Sequence, residues 1–144
     1  MPKSRINFGF KNLANNKEKL DLDWWMFSKI DEYLDEIYIP YYDPENNQLR
    51  KFKPDFIFWI KKGNNYFIVF VDPKGIKHTE FEHKVDSFRK IFGEINNPKI
   101  FDHHEFKIRV LLLLYTQDKN RLGEGYRNYW SDDSKDIFEF CSKR

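Results

Sequence analysis

Three side chains in this sequence have the types and spacing of a hydrolytic centre: Asp55, Asp72 and Lys74. Asp55 precedes an apolar run, residues 56–60, and Asp72 ends a second, residues 66–71. Gly63-Asn64 between the runs signals a two-residue hairpin turn. With that turn Lys62 faces Asn65, Ile60 faces Phe67 and Phe58 faces Val69. Counting on, Asp55 falls opposite Asp72, and directly opposed residues share a face with Cβ atoms about 4.5–5.5 Å apart. Lys74, two residues further, shares that face if the strand stays extended. Two carboxylates beside an ammonium suit divalent-metal phosphate chemistry. The bland alternative is that Asp72-Pro73-Lys74-Gly75 is only a type I turn. Against it, Asp55 is in register, a capped helix rather than a return strand follows, and Asp72 closes a run apolar on both faces. A carboxylate there is costly without a partner, and a metal ion relieves the cost. Mg²⁺ would take Asp55, Asp72 and the Pro73 carbonyl, since Pro73 has no N–H for the ladder. Lys74 would hold or help deprotonate the attacking water.

The elements that must position these groups follow from pattern. Residues 1–22 are polar and rich in Asn and Lys, and read as an arm or linker remnant. The core then spans 23–144 as one domain. Phe27, Ile30, Leu34 and Ile37 recur at helical spacing, which predicts a helix from Trp24 to about Asp35 capped by Asp21 or Asp23. Asp31 lies beside that stripe and Glu32 more nearly opposite it. Residues 37–42 predict a strand, with Pro40 arguing for an edge or bulge. Residues 66–71 are apolar throughout, as in a strand covered on both faces. Thr79 and Glu82 form a capping box for a helix burying Phe81, Val85, Phe88 and Phe92, ended by Gly93. Residues 108–115 are another buried strand, and Ser131 is expected to cap a last helix carrying Cys141 on its apolar face. The order αβββαβα implies an α/β fold, a mixed central sheet of about four strands flanked by helices.

The bulk numbers agree with a single packed domain. The chain has 144 residues, of which 19% are aromatic, so Phe, Tyr and Trp dominate any core. Net charge is only +2, too little alone to announce nucleic acid. One cysteine excludes an internal disulfide and fits a cytoplasmic protein. No apolar run approaches a membrane span.

The residues Pro54-Asp55 and Asp72-Pro73-Lys74 resemble the PD-(D/E)xK nuclease pattern, with Asp in the variable acid position. The stretches DLDWWMFSKIDEYLDEIYIPYYD and KPDFIFWIKKGNNYFIVFVDPKG look like the C-terminal endonuclease domain of type III restriction enzymes, over roughly residues 20–92. The resemblance implies a restriction-endonuclease-like core and Mg²⁺-dependent hydrolysis of double-stranded DNA, with Mn²⁺ as a substitute ion. It makes Asp55 and Asp72 metal ligands, Lys74 the catalytic lysine, and Glu32 or Asp31 an added acid. It further implies ATP-dependent helicase or translocase domains and a modification subunit as partners, and admits a homodimer. The sequence carries no G-x-x-x-x-G-K-(S/T) loop for ATP, so an excised nuclease domain or a small stand-alone relative is expected. The alternative is the same fold acting as a DNA-binding or assembly module without turnover. Lys53, Lys77 and Lys84 are the candidate DNA contacts within a wider lysine surface. His103-His104-Glu105 reads as a solvated loop, Trp24-Trp25 as core, and Cys141 as packing.

Overall fold

The computed structural model describes residues 22–31, 33–72, 81–115, 126, 129–131 and 141. Its centre is the hairpin foreseen from sequence. Strand β4 (Phe56–Lys62) runs antiparallel to β5 (Asn65–Asp72), with Lys62 opposite Asn65, Ile60 opposite Phe67 and Phe58 opposite Val69. Gly63 turns the chain at φ 58°, a conformation open to glycine at the first central position of a type II′ turn. Its N–H donates to the Asp23 carboxylate at 2.9 Å, which ties the turn to the strand beside it.

That neighbour overturns one expectation. Residues 24–29 form a strand, β1 (Trp24–Lys29), antiparallel to β4 from Trp24↔Lys61 to Lys29↔Phe56. No helical stripe forms: Ile30 is buried, but Leu34 is 83% exposed and Ile37 lies outward too. Helix propensities separate ordinary residues by only a few tenths of a kcal/mol each. Pairing with β4 outweighs that, because it lays the Trp25 and Phe27 rings against Phe58, at 6.5 and 5.5 Å between centroids. Fully burying such a ring is worth roughly 1.5–3 kcal/mol, of which Trp25, packed on the core, and Phe27, still 41% exposed, each gain a part. The pair Trp24-Trp25 divides: Trp25 packs on the core, while Trp24 is half-exposed and meets Tyr66 edge-on.

The expected strand at residues 37–42 exists as β2 (Ile39–Asp43), but outside the main sheet. Among the described residues it pairs with β3 (Gln48–Phe52), where the sequence pattern predicts a connection, in a separate two-stranded ribbon. Pro40 sits in that ribbon opposite Lys51, where a missing N–H is tolerated.

Past β5, helix α1 (Phe81–Phe92) buries Val85 and Phe88, with Phe81, Ile91 and Phe92 packed against the core. It ends as expected at Gly93, φ 88°, where Lys99 N–H caps the Phe92 carbonyl at 2.8 Å. A tight pair follows, β6 (Gly93–Glu94) with β7 (Asn97–Pro98), and then β8 (Phe101–His103). Strand β9 (Phe106–Tyr115) lies parallel to β5, the crossover geometry a strand–helix–strand unit demands. Strand β10 (Trp130–Ser131) pairs parallel with its end, so Ser131 belongs to a strand. Of the helix expected after it, only Cys141 is described, and it is fully buried.

The result is an α/β fold. Among the described residues its mixed sheet has six strands, in the order β1-β4-β5-β9-β10 with β8 also beside β9. Both the strand count and the element order depart from αβββαβα, chiefly because a strand replaces the first helix. Phe67 and Val69 on one face of β5, and Leu111 and Leu112 on opposite faces of β9, are all but inaccessible. These two strands form the middle of the core, as their unbroken apolar runs imply.

Candidate metal and nucleic-acid site

The β4–β5 register, continued one residue past Phe56↔Val71, sets Asp55 opposite Asp72. On the other side, Ile30 N–H donates to the Asp55 carbonyl at 2.8 Å, extending the β1–β4 ladder to the same level. Asp72 in turn pairs with Leu114 of β9. Ile30, Asp55, Asp72 and Leu114 therefore form one row across four strands, at the edge where β1 and β5 end and β4 begins. Asp72 is 3% exposed and Asp55 half-buried. A carboxylate held that deep is paired within the protein, as Asp43 is at the end of β2, or holds a cation. Among the described residues no three His, Cys, Asp or Glu side chains converge as a metal-ligand group. The donor set that the register supplies is the Asp55–Asp72 pair. That pair fits a hard ion such as Mg²⁺, which takes one or two carboxylates and retains several waters.

Other candidates are placed as follows. Asp31 follows Ile30 directly and so stands beside the row, though on no helix. Its carboxylate accepts the Tyr33 and Leu34 N–H groups at 2.8 and 3.0 Å, and those bonds hold its carboxyl below the usual carboxylate range. Glu32, Pro73, Lys74 and Lys77 lie outside the described residues. Lys53, two residues before Asp55, donates to the Asp35 carbonyl at 2.8 Å. Lys84 sits beneath the ribbon, its ammonium 4.9 Å from the Phe52 ring and 5.7 Å from Tyr41. Lys61 and Lys62 lie at the turn end of β4, far from Asp55. His103 and His104 are exposed at the β8–β9 turn, their rings 4.4 Å apart, as a solvated loop would have them.

Two buried polar groupings escaped the sequence reading. Asp43, expected in a loop, is 1% exposed and ends β2. Its carboxylate accepts from the Asn46 amide and from Arg50 Nε, both at 2.8 Å, and from two turn N–H groups. The Asn46 bond above all, with Arg50 and the backbone adding to it against the cost of burial, holds its carboxyl below the usual range. The signal was present as Asp43-Pro44-Glu45-Asn46, a turn-initiating Asp. The second grouping is around Arg89. Its guanidinium lies about 5 Å from the Tyr126 and Tyr129 rings, and its Nε is 3.2 Å from the Tyr129 hydroxyl and 3.3 Å from Glu94. Burial pushes the Tyr129 phenol up. Arg89 thus fastens α1 to the segment before β10, with no signal in linear sequence to reveal it.

A family model matches residues 7–133, a span that contains every strand from β1 to β10. The chain belongs to the YagJ family. No curated protein and no solved structure matches it. The whole Asp55–Asp72 row and the β2–β3 ribbon fall within the YagJ match. No helix among the described residues is long and apolar enough to cross a membrane.

Proposed function

We propose that this YagJ-family chain is a Mg²⁺-dependent endonuclease domain acting on double-stranded DNA, with a restriction-endonuclease-like core. The observation that carries the reading is the row that sets Asp55 beside Asp72 where β4 begins and β5 ends. The connectivity supports it further. Three antiparallel strands, β1, β4 and β5, lead through α1 into a parallel strand, β9, an order that accords with the three strands–helix–strand succession expected of a nuclease core.

In this reading Asp55 and Asp72 hold the ion, with the Pro73 carbonyl as a third ligand. Bound there, Mg²⁺ or Mn²⁺ supplies Lewis-acid activation of the phosphate and of water. Lys74 orients the attacking water and offsets charge as it develops. Asp31 or Glu32 adds an acid at the end of β1, and Lys53, Lys77 and Lys84 belong to the DNA-facing surface. The reading places the chain in the cytoplasm, in a restriction system whose motor and modification subunits are separate parts, and it admits a homodimer for cutting both strands.

The test is incubation of the purified chain with supercoiled plasmid. Nicked and linear products are expected with Mg²⁺ and none with chelator. Intact plasmid under both conditions, with a protein that still binds DNA, would replace this reading with a binding module that lacks turnover.

A further inference from the structure

Residues 31–54 leave the main sheet at Ile30 and re-enter it at Asp55, and those two residues share a 2.8 Å backbone hydrogen bond. The folded part of this excursion is the β2–β3 ribbon, whose two faces differ. Ile39, Tyr41 and Phe52 are buried on the inner face. The Ser87 hydroxyl of α1 accepts the Tyr42 N–H at 3.2 Å, and Lys84 reaches the inner rings from below. The outer face carries Pro40 and Lys51, then Tyr42 and Leu49, with Tyr38 at its base. Leu49 is 79% exposed and Tyr42 46%. The Lys51 ammonium stands 4.7 Å over the Tyr38 ring, which holds the cation on that face.

We infer that the outer face of the β2–β3 ribbon is a docking surface for duplex DNA, a reading that rests on the nuclease function proposed above. A two-stranded ribbon is one of the two elements that the major groove admits. The strand positions of the outer face carry one charge, the cation of Lys51, with Lys53 at the root, whereas Asp43 is drawn inside and neutralised by Arg50. The exposed acids Asp31 and Glu36 belong to the leading segment before the ribbon, and Glu45 to its far tip. Leu49 and Tyr42 supply the apolar surface that packs on sugars and base edges. Because the ribbon is rooted at Asp55, DNA gripped by it lies next to the carboxylate row.

The test uses a fluorescent duplex oligonucleotide, titrated in chelator and read by anisotropy, alongside plasmid cleavage in Mg²⁺. Lys51→Glu combined with Leu49→Asn should weaken binding about tenfold or more and slow cleavage in proportion. Its melting temperature should stay at the wild-type value, because both side chains point to solvent. Asp72→Asn should bind the duplex as the wild type does while failing to cut. If the ribbon variant binds and cuts like the wild type, the ribbon inference falls and the nuclease reading stands. If the wild type binds through the ribbon without cutting, the nuclease reading falls and the ribbon stands. A wild type that neither binds nor cuts overturns both.

Discussion

At the scale of single residues, burial and register mark two aspartates for different tasks. Asp72 closes a strand in the middle of the core, whereas Asp43 closes a strand of the ribbon, and both are all but inaccessible. Asp43 is committed to Asn46, Arg50 and its own turn. Its carboxyl titrates lower in the folded chain than in the unfolded one, so its contribution is complete above the unfolded value, about 4. It is lost as pH falls through the lower folded value. The melting temperature of the wild type should therefore decline in the acid range, and Asp43→Asn should lower it at neutral pH and flatten that decline. Thermal melts between neutral and acid pH check this. Asp72→Asn and Lys74→Ala should behave in the opposite manner. Each should abolish cleavage, a loss of 10³-fold or more on the order of magnitude typical for a charge-stabilising group, while the fold melts within a few degrees of the wild type. Normal cleavage by either variant would remove the site.

At the scale of elements, legibility followed the range of the interaction. The β4–β5 hairpin was readable because a two-residue turn and a period-two pattern are local, and they fixed the facing of Asp55 and Asp72 without any distant information. The same holds for α1 and its stop at Gly93, and for the apolar run of β9. Strand β1 was not readable, because Phe27, Ile30, Leu34 and Ile37 fall at helical spacing by coincidence of composition. What decides their state is pairing with β4, which lies beyond the whole ribbon in sequence. Strand β3 was missed for a related reason: Gln48, Leu49, Arg50 and Lys51 give no alternation, since one face is polar through pairing with Asp43 and the other is exposed. Asp31 consequently stands beside the Asp55–Asp72 row by following a strand rather than by lying on a helix. Gly93 tests the element boundary. A Cβ there would meet the backbone N of Lys99 at 2.6 Å, at φ 88°. Gly93→Ala should cost about 1–3 kcal/mol, seen as a drop of several degrees in melting temperature with cleavage retained below it.

At the scale of the whole molecule, the sheet places the carboxylate row and the ribbon's root on one edge, so the ion and the duplex proposed above would be approached from the same side. An ion bound there only in the folded state must stabilise the entire chain. At ten times its dissociation constant the gain is about 1.4 kcal/mol. Mg²⁺ should accordingly raise the melting temperature of the wild type by a few degrees and leave Asp72→Asn unmoved. An equal rise in both would mean that the ion acts elsewhere on the surface.

The hydrogen bond between Ile30 and Asp55 has an architectural consequence. Everything between those residues enters and exits through a single doorway, so the sheet's continuity does not depend on what is hung there. A replacement segment would have to keep the inner residues Ile39, Tyr41 and Phe52, which belong to the core, while the outer positions are open to exchange. On the proposed function, the outer positions of the ribbon would set target preference and could be exchanged without disturbing the row of carboxylates beyond the doorway.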